Sequence, residues 1–212
     1  VCSSDLALRP LLRGQSRADS LSFDLHKWGY LPYEVACVLV RDPQAHRDTF
    51  ATQASYLRVE DRGVAAGGLV FAERGPELSR NFKALKAWMS LKAEGTARIA
   101  AVIEQNVAQA RRFGVEVARI PGVTLAAPVS LNVACWRATP DGTTPEQQDR
   151  LTREVLLRLQ ETGVAVCSGT VVRGRAVIRV AVSNHRSRWE DFERLLGAIP
   201  GVIADARQRT GT

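Results

Sequence analysis

The chain has 212 residues, 45% of them apolar and 24% charged, with a formal net charge of +7 at pH 7. That is long enough to bury a core without disulfide or metal staples, and the mixture excludes a disordered chain. No apolar run reaches the roughly 20 residues of a membrane helix, no secretory signal is recognised, and the basic excess is arginine scattered along the chain, so a cytoplasmic protein without membrane or nucleic-acid partners is expected.

Residues 1–6 carry no periodic pattern. They read as one translated frame of a sequencing-adapter end, and are expected to be an artefact at the head of a fragment. Residues 7–18 read as the tail of a helix and a linker turning at Gly14. Leu21-Ser22-Phe23-Asp24 predicts a short strand. The polar and aromatic run His26-Lys27-Trp28-Gly29-Tyr30-Leu31-Pro32 predicts a sharp turn. Residues 35–40 are continuously apolar over strand length, which predicts a strand buried on both faces and returning beside the first. Residues 43–75 contain Gly63, Gly67, Gly68 and Gly75 with little periodicity, and are expected to be irregular and functional or mobile.

From Pro76 onward helices are expected. Phe82, Leu85 and Met89 recur at helical spacing, with Gly95 as the stop and Lys83, Lys86 and Lys92 forming a solvated face. Ile99, Ile103, Val107, Ala110, Phe113 and Val117 predict a second, long amphipathic helix, broken by Ile120-Pro121-Gly122. Residues 131–138 read as a strand. Thr144-Pro145-Glu146-Gln147 predicts a capped helix start, with Leu151, Val155 and Leu159 carrying the helix to Gly163. Residues 164–167 and 176–182 read as strands. Ser187-Arg188-Trp189-Glu190 predicts a second capping box, opening a helix with Phe192, Leu195, Leu196 and Ile199 inward and Pro200-Gly201 at its end. From about Gly122 the order strand–helix–strand–strand–helix predicts a small α+β sandwich.

The cysteines are Cys2, Cys37, Cys135 and Cys167. None stand at metal-ligand spacing, so no metal site is expected. The last three lie in apolar runs and read as small buried hydrophobes rather than catalytic thiols.

Lys27 is remote in sequence from Lys83, Lys86 and Lys92 and follows His26 at the end of a predicted strand. A semi-buried lysine has a lowered pKa and can act as the neutral amine that a carbonyl nucleophile must be. The alternative is surface decoration.

The segment Ala18-Asp19-Ser20-Leu21-Ser22-Phe23-Asp24-Leu25-His26-Lys27-Trp28 resembles the cofactor-lysine segment of the pyridoxal-phosphate-dependent group II amino-acid decarboxylases. The likeness continues in order. Tyr33-Glu34-Val35-Ala36-Cys37-Val38-Leu39-Val40-Arg41-Asp42 resembles the strand that follows. Ser55-Tyr56-Leu57 resembles the start of the mobile catalytic loop. Pro76-Glu77-Leu78-Ser79-Arg80-Asn81-Phe82-Lys83-Ala84-Leu85-Lys86-Ala87-Trp88 is similar to the lead into the small domain, and Arg179-Val180-Ala181-Val182-Ser183-Asn184-His185-Arg186 resembles its C-terminal strand. Asn81 departs from the arginine common at that place.

The resemblance implies an α/β fold: a partial PLP-transferase large domain of the aspartate-aminotransferase-like fold type I over residues 7–95, then a connecting helix and small α+β domain over 96–212. It implies pyridoxal 5'-phosphate as cofactor and an L-amino acid as substrate, aromatic or bulky among many relatives. The reaction would be loss of the α-carboxylate as CO2 through a Lys27 aldimine, in a homodimer with shared active sites, with the fragment inactive alone. Lys27 and Tyr56 would be catalytic. Lys27, His26, Asp24 and Ser79 would bind the cofactor, with Tyr56 reaching the neighbouring subunit's site and Ser79 the partner's phosphate. On residue type alone, Tyr56 is equally a loop aromatic, Ser79 a helix N-cap and His26 a turn residue; His185 is a further candidate. A non-catalytic dimerisation scaffold, and a PLP-dependent aldehyde synthase or other carbon–carbon lyase, stand as alternatives.

Overall fold

The computed structural model describes residues 9–51, 60–64, 66–68 and 70–211. The chain divides into two compact units, Val1–Thr96 and Ala97–Thr212.

In the first unit, short 3-10 turns at Arg9–Leu12 and Gln15–Arg17 lead into β1 (Ser20–Asp24). β1 pairs antiparallel with β2 (Ala36–Val40), in register from Ser20 against Val40 to Asp24 against Ala36. The expected return is therefore present. The expected burial on both faces is not, because Val38 and Leu39 are each more than half exposed. A two-stranded ribbon has no layer of its own to cover either face, so apolar character sets the strand's conformation here without burying it.

Residues 43–75 are not wholly irregular. They contain α1 (Pro43–Phe50), whose N-cap Asp42 accepts from the N–H groups of Gln44 at 2.8 Å and Ala45 at 3.0 Å, with Pro43 at the first helical position. Asp-Pro is a start signal the periodicity reading passes over. α1 is tied to the 3-10 turn Phe71–Arg74 by an Arg47–Glu73 ion pair of 2.7 Å and by Arg74 donating to the Pro43 carbonyl.

α2 (Lys83–Val117) starts seven residues after Pro76 and is two helices joined at Gly95, where φ 74° and ψ 156° leave helical space. Gly95 ends the first helix as expected, and the second follows it without an intervening loop. Before the break, Phe82, Leu85 and Met89 lie exposed rather than in a core.

The second unit is built from the rest of α2, then β3 (Val123–Leu125), β4 (Val133–Ala138), α3 (Pro145–Glu161), β5 (Ser168–Val172), β6 (Arg175–Ala181) and α4 (Trp189–Thr210). The strands form one antiparallel sheet in the order β3-β4-β6-β5. This is the expected α+β arrangement with one strand more, β3. The Thr144 capping box is present: Gln147 N–H donates to Thr144 Oγ1 at 3.3 Å, and Thr144 N–H to Gln147 Oε1 at 2.7 Å.

Three boundaries differ from expectation. β5 begins at Ser168, not 164, because Val164 and Ala165 are used to close α3, both N–H groups donating to the Leu159 carbonyl. α4 is capped by Arg188, one residue later than expected, its N–H donating to Asp191 Oδ2 at 3.0 Å. And α4 runs through Pro200 to Thr210. Ile203 and Ala206 continue its buried stripe past the proline, so tertiary burial outweighs one lost main-chain hydrogen bond.

The core gathers Ala110, Phe113 and Val117 of α2, Trp136 of β4, Leu151, Val155 and Leu159 of α3, Ile178 of β6 and Ile199 of α4, all fully buried. Burying each large apolar side chain contributes about 1.5–3 kcal/mol. At the rim, Arg137 of β4 meets Asp149 of α3 at 2.9 Å, and the same carboxylate oxygen accepts from the Ala176 N–H of β6 at 3.0 Å. Among the described residues no helix is long and apolar enough to cross a membrane.

Candidate active site

The turn between β1 and β2 carries three of the candidate residues, Asp24, His26 and Lys27. The N–H groups of Lys27 and Tyr30 donate to the carbonyls of Asp24 and Lys27, both at 3.3 Å, and the N–H of Leu31 closes the turn on the Leu25 carbonyl at 3.2 Å. Gly29 makes this closure possible: a Cβ there would stand 2.5 Å from the Leu25 carbonyl oxygen. Leu31 and Val35 are buried beneath the turn.

Lys27 Nζ lies 2.5 Å from Asp24 Oδ2. Its side chain is 66% exposed, so the expected semi-buried amine with a lowered pKa is not found. The hydrogen bond that Lys27 donates to Asp24, then the carboxylate's charge, push the Lys27 pKa up, and Lys27 in turn holds the Asp24 carboxyl below the usual carboxylate range. Charge pairing outweighs desolvation here because no apolar layer covers the amine, while a carboxylate stands three residues away.

His26 is half-buried. Its Nδ1 sits 2.9 Å from the Val35 carbonyl oxygen and 3.2 Å from the Val35 nitrogen, whose N–H points at it. The Tyr33 ring tilts over the imidazole at 4.4 Å between centroids. Both contacts use Nδ1, and none printed among the described residues uses Nε2. Close by, burial pushes the Tyr30 phenol up to about 12.

Two residues of this site escape the sequence reading. Lys86 Nζ donates to the carbonyls of Pro32 at 3.1 Å and Tyr33 at 3.0 Å, and Lys83 Nζ pairs with Glu34 Oε1 at 2.5 Å. The expected solvated lysine face is therefore, at Lys83 and Lys86, bound to the segment that follows the Lys27 turn. Their i, i+3 spacing on a helix that also bears an apolar stripe was the available signal.

Of the expected site residues, Asp24, His26 and Lys27 stand together. Tyr56 lies outside the described residues. Ser79 is exposed in a bend and makes no hydrogen bond among the described residues; with α2 starting at Lys83, it does not cap that helix. His185 is in the second unit, in the loop before α4. That loop is held by Asn106 donating to the Asn184 carbonyl at 3.1 Å and Gln109 to the Ser187 carbonyl at 2.8 Å. Cys37, Cys135 and Cys167 are free thiols and half-buried rather than buried as expected; desolvation pushes Cys135 up and Cys167 up to about 11. Among the described residues, no three histidine, cysteine or acidic side chains cluster where a metal ion could sit.

Residues 6–139 match the model of the pyridoxal-dependent decarboxylase conserved domain, a stretch that contains the whole of the Lys27 turn. The chain belongs to the pyridoxal-dependent decarboxylase family. Within that family it is 30% identical over 196 residues to the aromatic-L-amino-acid decarboxylase of Bacillus atrophaeus, covering 92% of this chain and 41% of that enzyme. It is 31% identical over 192 residues to tryptophan decarboxylase 1 of Oryza sativa, covering 84% of this chain and 37% of that one. The crystal structure of the Oryza sativa enzyme TDC with PLP and tryptamine superposes with a TM-score of 0.84 at 28% identity, over 92% of this chain and 40% of that one. The architecture is thus part of the fold type I seen in pyridoxal-dependent decarboxylases, and the chain spans about two-fifths of these relatives' length.

Proposed function

We propose that this chain carries the lysine-bearing part of a pyridoxal-phosphate-dependent carboxy-lyase, which removes the α-carboxylate of an L-amino acid as CO2 and releases the amine. The observation that carries the reading is the reachable amine of Lys27 beside a histidine whose contacts use Nδ1, inside the family-matched stretch. The donor chemistry fits the cofactor: a primary amine suits its aldehyde, and an imidazole suits its phosphate. When bound, pyridoxal phosphate supplies the electron sink that lets the carboxylate leave.

Lys27 Nζ would hold the cofactor, with His26 on its phosphate and Asp24 next to both. The ammonium of Lys27 must shed a proton before it can act as a nucleophile, and its pair with Asp24 Oδ2, at 2.5 Å, opposes that loss until a ligand displaces the carboxylate. Tyr56, through its phenol, would deliver a proton to the substrate's Cα as a general acid. Ser79 would meet the phosphate of a partner subunit in a homodimer. Residues 7–95 would belong to the large domain and 96–212 to the connecting helix and small domain. The names of the relatives support an aromatic amino acid as substrate.

The chain has four lysines, which makes the test direct. Purified protein is mixed with pyridoxal phosphate, reduced with borohydride, digested and mapped by mass spectrometry. A pyridoxyl label confined to Lys27, and absent from Lys27→Ala, is expected. A label on Lys83, Lys86 or Lys92 that is undiminished in Lys27→Ala refutes the assignment.

A further inference from the structure

The mechanism leaves Lys83 and Lys86 unused, yet neither behaves as surface decoration. One turn apart on α2, they occupy acceptors in three consecutive residues: the carbonyls of Pro32 and Tyr33 and the carboxylate of Glu34. The next residue is Val35, whose N–H and carbonyl both face His26 Nδ1. Tyr33, inside the held segment, lays its ring against the same imidazole. His26 is thus held by residues 33 and 35, and those residues are held by two ammonium groups.

We propose that Lys86, assisted by Lys83, is the positioning residue of His26. Lys86 fixes the main chain of Pro32 and Tyr33, this fixes Val35 and the Tyr33 ring, and these commit Nδ1 of the imidazole to the backbone. The consequence is chemical as well as geometric. Which nitrogen of a neutral imidazole carries the proton is set by the bond the other nitrogen makes, so holding Val35 in place decides how Nε2 is presented. The importance of Nε2 rests on the reading of His26 as a cofactor-binding residue; the clamp itself does not.

The test exploits the histidine count. The chain has three, His26, His46 and His185, so imidazole nitrogen resonances of the full chain can be assigned by single His→Gln variants. Measured without cofactor, at a pH where the rings are neutral, Lys86→Met is expected to shift the His26 Nδ1 resonance and alter the ratio of its two tautomers, with His46 and His185 unmoved. Lys86→Arg, which keeps charge and donors, is expected to restore the native ratio. A His26 signal unchanged in Lys86→Met overturns the proposal. Should Lys86→Met move all three imidazoles, as loss of the fold would, Lys83→Met becomes the deciding variant, because the Lys83 ammonium meets a side-chain carboxylate rather than main-chain oxygens. A smaller shift at His26 alone is expected there, and none overturns the proposal. The borohydride map separates the two readings. Label at Lys27 with an unmoved His26 removes the clamp and keeps the function. Label elsewhere with a moved His26 removes the function and keeps the clamp.

Discussion

The two units differ in what supports them. In Ala97–Thr212, three helical segments and the strands β3, β4 and β6 converge on a core that includes Trp136, Phe113, Leu151 and Ile178. In Val1–Thr96, Leu31 and Val35 are the buried apolar side chains among the described residues, while Val38, Leu39, Phe82 and Trp88 are exposed. Yet the candidate site is in the first unit. Its geometry rests on polar contacts, namely the turn hydrogen bonds, the Asp24–Lys27 pair and the lysine clamp, rather than on packing. Polar scaffolds of this kind are specific in shape but contribute little net stability when exposed. The second unit can hold its shape by burial; the first, among its described residues, sets a candidate site over two buried apolar side chains.

Substitutions can sharpen or break that contrast. Trp136→Ala removes the largest fully buried side chain of the second unit and is expected to cost about 3–5 kcal/mol, read from denaturant unfolding. Asp149→Ala strands Arg137, whose side chain is only 11% exposed, and is expected to cost about 3 kcal/mol in the same assay. Thr144→Ala removes the α3 cap and is expected to cost about 1 kcal/mol. Val38→Thr in β2 is expected to change global unfolding by less than about 0.5 kcal/mol, because the side chain is already in water. A Val38 variant as costly as Trp136→Ala would show the first unit to have a core after all.

The remaining prediction concerns charge. The Asp24 carboxyl is held below its usual range, so its share of the pairing is present above that range and is lost as pH falls through the lowered value. Lys27 is raised, so its share is complete below the usual lysine range and is lost as pH rises through the raised value. Asp24→Asn should therefore move the midpoint for acylation of Lys27 to lower pH. An unchanged midpoint would mean that the pair does not exist in solution.

Much of this was legible in the residues, unevenly. Elements whose own core fixes them were read well: the Thr144 cap and the inward positions Leu151, Val155 and Leu159 are where the periodicity placed them. Where burial and local punctuation disagreed, punctuation misled, as at Pro200-Gly201, which a buried stripe carries through. Local capping chemistry was missed where no stripe announced it, at Asp42-Pro43. At the candidate site, Asp24, His26 and Lys27 adjoin as their places within four consecutive residues require. The site's electrostatics were not legible, because the pKa of Lys27 depends on a side-chain distance that no spacing rule reports. The roles of Lys83 and Lys86 depend on contacts 49 to 54 residues away in the chain, beyond the reach of helical periodicity.

The break at Gly95 has one more consequence. Its torsions fall in a corner of backbone space open essentially to glycine alone, while nothing lies within 4 Å of where a Cβ would stand. Handedness, not volume, selects the residue. A natural L-alanine would carry about 1–3 kcal/mol of torsional penalty in an otherwise empty setting. A mirror-image alanine introduced by chemical synthesis would escape most of it, so the joint in this long helix is decided by chirality.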